Sequence, residues 1–184
     1  DIINGGFETG NLTGWTADTP AGGSASAVTS HGSYSPVEGN YFLEIKTDGP
    51  GSATKVRQGI YLSAGYALSG WAAFDSNDYL PFNDYAWVKI YDSLNNLVAT
   101  PWYEDVASNG NFVDTPWTLW SWTASVSDTY TLKFGIDNAL DSIGDSYALF
   151  DANTVIPEPG TIILFGSGLI GLCGFKRKGY NFKK

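Results

Sequence analysis

The heptapeptide Tyr85-Ala86-Trp87-Val88-Lys89-Ile90-Tyr91 alternates without a break: Ala86, Val88 and Ile90 take every second position, with Tyr85, Trp87, Lys89 and Tyr91 between them. Successive side chains of an extended chain point to opposite faces. The pattern therefore predicts a strand with one aliphatic face and one face of aromatic rings and charge. A second stretch repeats it, with Tyr130, Leu132, Phe134 and Ile136 alternating with Thr131, Lys133, Gly135 and Asp137. Residues 41–45, 53–62 and 66–74 read as further strands, and Asn95-Asn96 as the turn of a hairpin. Gly and Pro (22 and 8) punctuate the chain at short intervals, and no helical period occurs before the last thirty residues. An all-β sandwich follows. Residues 21–30, rich in small side chains, fit a loop or a weak edge strand.

The end of the chain has a different composition. Residues 161–175 carry no charge and are followed at once by Lys176, Arg177 and Lys178. Residues 160–175 would span about 24 Å as a helix, short against the ~20 residues that usually cross a bilayer. Snorkelling by the three basic side chains and local thinning of the bilayer close such a gap. A basic cluster directly after the run fits a membrane stop better than a buried core helix, so one short C-terminal transmembrane helix is expected. The predicted organisation is a sandwich over 1–154, a junction over 155–160, the helix over 161–175 and a basic end over 176–184. By the positive-inside rule that end is cytoplasmic and the sandwich periplasmic. Ser167, Gly171 and Gly174 form a small-residue stripe that would let another helix approach closely.

Pro157-Glu158-Pro159, the apolar run and the basic end together resemble the PEP-CTERM sorting signal of Gram-negative bacteria. The resemblance implies recognition by an exosortase-like membrane peptidase that cleaves near the Pro-Glu-Pro box and releases the domain toward the envelope or an exopolysaccharide matrix. Pro157 and Pro159 keep the junction extended, which suits a processing site. Because a sorting tail requires export, Asp1 is expected to be a processed or trimmed start. At the other end, Asn4-Gly5-Gly6-Phe7-Glu8 followed by Gly14-Trp15 resembles the opening of carbohydrate-binding-like jelly rolls. Phe150-Asp151-Ala152-Asn153 resembles their closing strand, with Ala152 departing from the usual acidic or amide residue.

Composition excludes several chemistries. All 19 acidic residues lie in 1–159 beside only five basic ones, Lys46, Lys55, Arg57, Lys89 and Lys133, a net charge of −14; the tail is +5. So acidic a domain is a poor partner for nucleic acid. His31 is the only histidine and no nucleophile motif surrounds it, so no enzyme is expected. Cys173, the single cysteine, rules out an intrachain disulfide, and the core must hold unaided.

Two candidate sites emerge. In a jelly roll whose terminal strands pair, Glu8 and Asp151 are neighbours, and the resemblance implies a structural Ca²⁺ there, held by hard oxygen ligands; capping of turns by the same carboxylates is the other reading. Asp78, Asn83, Asp84, Asp141 and Asp145 form a second acidic group, read mainly as turn formers. Tyr85, Trp87 and Tyr91 share the non-aliphatic face of their strand, which fits a glycan platform or a protein contact surface equally. Trp15 and Trp71 are expected in the core. The functional expectation is an exported, membrane-tethered, non-catalytic surface or matrix protein with possible polysaccharide binding. The alternative is an accessory subunit of an inner-membrane complex, joined to it through the tail helix. A secreted hydrolase ranks last.

Overall fold

The computed structural model describes residues 1–47 and 49–157. In chain order the described elements are β1 (Thr16–Asp18), β2 (Ser24–Val28), β3 (Phe42–Lys46), β4 (Thr54–Leu62), β5 (Tyr66–Asp75), β6 (Tyr85–Tyr91), β7 (Leu97–Asp105), the helical turn α1 (Val106–Asn109), β8 (Thr118–Thr123), β9 (Asp128–Asp137) and β10 (Tyr147–Pro157). They form two five-stranded antiparallel sheets, β1-β4-β9-β6-β7 and β2-β3-β10-β5-β8, packed as a jelly-roll-like sandwich.

Alternation in the sequence becomes layering in space. Ala86, Val88 and Ile90 of β6, and Leu132, Phe134 and Ile136 of β9, are wholly buried between the sheets. Phe134 of the first sheet stacks on Phe150 of the second at 4.3 Å between ring centroids, and Trp15 stacks on Phe134 at 5.2 Å. Such contacts supply the interior cohesion that a chain without disulfides needs. A smaller core lies outside the second sheet, where residues 29–37 fold over Phe42, Ala73 and Leu149 and bring Tyr34 onto them. Tyr34 is tied down by its hydroxyl, which donates to the Thr115 carbonyl at 2.7 Å.

The opening turn docks on the closing strand. Both the backbone and the side-chain N–H of Asn153 donate to the Gly5 carbonyl. A β-carbon on Gly5 would run into the Asn153 carbonyl oxygen, so this contact requires glycine. Phe7 and Trp15 enter the core on either side of the turn, their rings 5.3 Å apart.

Several expectations shift. Residues 24–28 are an edge strand, and β6 has the predicted bounds. The Asn95-Asn96 turn is built by Asn95 at φ 62°, a conformation that asparagine tolerates. Trp71, expected in the core, is only half-buried, because it pairs with Asp151 and Leu119 on the outward side of β5. β10 runs on to Pro157, pairing Val155, Ile156 and Pro157 with Leu68, Ala67 and Tyr66, so the sheet takes in residues assigned above to the junction. The predicted membrane helix over 161–175, with Ser167, Gly171, Gly174, Lys176, Arg177 and Lys178, lies outside the described residues, as do Glu158 and Pro159. Among the described residues no helix is long and apolar enough to cross a membrane.

Candidate functional site

A cleft of about 290 Å³ opens on the outer face of the first sheet. β6 contributes Tyr85, Trp87, Lys89 and Tyr91, β9 contributes Lys133 and Asp137, and β4 contributes Lys55. The three expected aromatic residues thus share one face, and the chain places them at a cavity. Their roles differ. Trp87 is 5% exposed: its indole lies flat over Gly135 of β9, and the Lys89 ammonium covers it at 4.3 Å from the ring centroid. It is a floor, and no open ring face is left for stacking. Tyr91 lies under the Lys133 ammonium at 4.2 Å. Tyr85 stacks on Tyr103 of β7 at 6.0 Å and donates its hydroxyl to Asp137 at 2.9 Å. Burial and the Asp137 carboxylate push the Tyr85 hydroxyl up to about 12.

Sequence reading missed the partners of these rings. Tyr103 is 47% exposed, the most open ring of the set, but irregular pairing between β6 and β7 hides its face in the sequence. Lys133 and Lys55 come from strands whose register only the fold supplies. Burial holds both Lys89 and Lys133 below the usual lysine range, and for Lys133 the charges of Arg57, Lys55 and Lys89 add to it.

Glu8 lines a second cleft, of about 380 Å³, with Ala152 and Asn153 of β10, the neighbours of Asp151. Asp151, fully buried, accepts N–H groups from Val37 at 2.7 Å and Glu38 at 3.1 Å through Oδ2, and from Ala152 at 2.6 Å through Oδ1. Glu8 accepts from Asn40 at 3.0 Å and Tyr41 at 2.9 Å. The Tyr41 hydrogen bond first, and those from Asn40 after it, hold Glu8 below the ordinary carboxylate range; burial pushes Asp151 above it. Both carboxylates therefore anchor one loop. Carboxylate oxygens are the hard ligands that the expected Ca²⁺ would need, and Asp151 Oδ1 accepts from Ala152 alone among the described residues. Two carboxylates would have to be completed by amide or carbonyl oxygens: among the described residues, no group of three or more His, Cys, Asp or Glu side chains is arranged to hold a metal.

The fold also gathers part of the second acidic group. Asp84 is fully buried, accepts from Ser146 at 2.7 Å and Ala139 at 2.9 Å, and is pushed up to about 6 by burial, with the charges of Asp78 and Asp141 nearby. Asp145 instead pairs with Lys46 at 2.6 Å, and Asn83 bonds Asp105 and Ala107. His31 sits on the other sheet's outer face, its ring nitrogens each 2.7 Å from Glu44 and Asp75.

The two antiparallel sheets form a β-sandwich, a fold that solved carbohydrate-binding modules share. Among solved structures, the TmCBM61 module in complex with β-1,4-galactotriose is 16% identical, with 85% of this chain and 98% of that chain covered and a TM-score of 0.57. The K3 cleaved adhesin domain of Lys-gingipain from Porphyromonas gingivalis w83 is 11% identical, with 85% and 98% covered and a TM-score of 0.55. A structure described for the promiscuous specificity of carbohydrate-binding modules of the β-sandwich superfamily is 10% identical, with 85% and 62% covered and a TM-score of 0.54. At such identities the likeness is one of fold. No curated protein matches the chain. Residues 155–178 match the PEP-CTERM protein-sorting motif, so the chain carries this sorting signal behind its sandwich.

Proposed function

We propose that this is an exported, non-catalytic glycan-binding protein, delivered to the cell envelope through its C-terminal signal. The observation that carries the reading is the cleft at Tyr85, Trp87 and Tyr91, a recess with aromatic rings and polar hydrogen-bonding groups on a rigid sheet. Sugars present apolar ring faces and hydroxyl edges, and a cleft of this composition meets both. A binding role is also supported by the position of His31, which is held between Glu44 and Asp75 on the opposite sheet, away from the cleft. The PEP-CTERM match supports processing by an exosortase-like peptidase and association with the membrane before or instead of release. Inner membrane with a periplasmic sandwich, and cell surface or matrix after processing, are the two locations this reading allows. Affinity electrophoresis of the full chain in mild detergent through gels containing neutral or acidic polysaccharides tests it. Retardation by at least one polymer, weakened by Tyr85→Ala or Tyr91→Ala, is expected. Unchanged mobility in every gel would overturn the reading.

A further inference from the structure

Four of the five basic residues that precede the tail, Lys55, Arg57, Lys89 and Lys133, lie on the face that holds the cleft. Three of them form a row. Arg57 of β4 pairs directly with Lys133 of β9, which pairs directly with Lys89 of β6. Like charges placed opposite each other across a sheet are unfavourable, and with strands about 4.8 Å apart the row spans only about 10 Å. Acidic residues are abundant in this domain, yet among the described residues only Lys55 of the four has an ion pair, with Asp18 at 3.7 Å. Lys89 and Lys133 rest instead on the rings of Trp87 and Tyr91, which hold the ammonium groups at the cleft without neutralising them. Asp137 is the one acid in the lining, and Tyr85 occupies its Oδ2.

We infer that the glycan taken by this cleft is anionic: a polysaccharide with sugar carboxylates, bound by Lys89, Lys133 and Arg57 while Tyr85 and Tyr91 contact neighbouring sugar rings. This deepens the glycan-binding reading and rests on it. A bound carboxylate relieves the mutual repulsion of the row, so the unfavourable pairing in the free protein becomes a source of selectivity. Nucleic acid fits less well. A duplex carries a charge every ~1.7 Å, and beyond the short basic row such a polyanion meets the rest of a domain whose net charge, the row included, is −14. A uronan bears no more than one carboxylate per sugar ring.

The test compares the full chain in mild detergent against polygalacturonate and alginate and against carboxyl-reduced forms of the same polymers. Tenfold or stronger binding to the acidic forms, falling as salt is raised, is expected. Lys89→Gln and Lys133→Gln should each weaken it about tenfold, the scale of one charge-assisted hydrogen bond, while Lys133→Arg keeps most of it. Near-ultraviolet circular dichroism of each variant separates lost binding from lost folding. Equal binding to acidic and reduced polymers, or full binding by a folded Lys89→Gln/Lys133→Gln variant, would overturn the anionic assignment and leave glycan binding intact. Tighter binding to a single-stranded oligonucleotide than to either uronan would also overturn it. Absence of binding to any polysaccharide would remove the underlying reading as well.

Discussion

Asp151 and Glu8 hold the same loop from opposite ends of the sequence: Asp151 takes the N–H groups of Val37 and Glu38, and Glu8 those of Asn40 and Tyr41. Removing the Asp151 carboxylate strands the backbone donors of Val37 and Glu38 and that of Ala152 beside a buried position. Asp151→Ala should therefore destabilise the domain by about 2–4 kcal/mol, measured by urea unfolding. Glu8→Ala, at an exposed position, should cost less and mainly loosen residues 37–41 in hydrogen exchange.

Calcium is the second expectation for this pair. An ion bound only by the folded state adds RT ln(1 + [L]/Kd), about 2.7 kcal/mol at a hundredfold excess over Kd. The melting temperature should fall on adding a chelator, and Asp151→Ala should abolish the difference. Superimposed melting curves would leave the two carboxylates as loop anchors alone.

Stability should decline as pH rises. Burial raises Asp84 to about 6, so its contribution is complete below the ordinary aspartate range near 4 and is lost as pH climbs through about 6. That two-unit shift corresponds to about 3 kcal/mol. Burial opposes the charge on His31, but hydrogen bonds to Asp75 and Glu44 outweigh it and raise the group above 6.5. Its contribution is complete below 6.5 and is lost above that value; Asp114 lies beside Asp75 in the same cluster. Thermal melts from pH 4 to 8 should show both declines, Asp84→Asn removing the lower and His31→Gln the upper.

Gly135 sets the floor of the cleft. A β-carbon there would run into the Trp87 ring, so Gly135→Ala must lift the indole or bend β9. A loss of about 1–3 kcal/mol, with a larger exposure of Trp87 to an aqueous fluorescence quencher, is the expected outcome.

The fate of the tail can be weighed. Intact mass spectrometry of native protein should find a form ending near Pro157-Glu158-Pro159, with or without a full-length form. A mass extending to Lys184 in all mature material would favour a permanent anchor and the membrane-complex alternative.

The β6 and β9 strands and their faces were legible because each alternates cleanly over seven residues or more. The opening turn and closing strand were legible as motifs, and they meet through Gly5 and Asn153; the terminal strands themselves do not pair as expected, since β1 lies beside β4 in the first sheet and β10 between β3 and β5 in the second. Trp71 misled because an aromatic residue in an apolar run carries no mark of the face it takes; a half-exposed outer position and a core position read alike. The basic row was illegible for a different reason. Arg57, Lys89 and Lys133 are far apart in the chain, and only the pairing of β4, β9 and β6 makes them neighbours.

Because β10 stays paired through Pro157, a tail that anchors the chain would mount the sandwich without a leash. Only Glu158, Pro159 and Gly160 separate it from the uncharged run, about 10 Å of chain at full stretch. A domain so mounted would not sweep its surroundings for a ligand; polymer would have to be brought to it, or made beside it. A peptidase cutting after Pro157 would leave every rung of the β5–β10 ladder in place, so detachment would cost the fold nothing and the freed domain would keep the cleft it had while anchored.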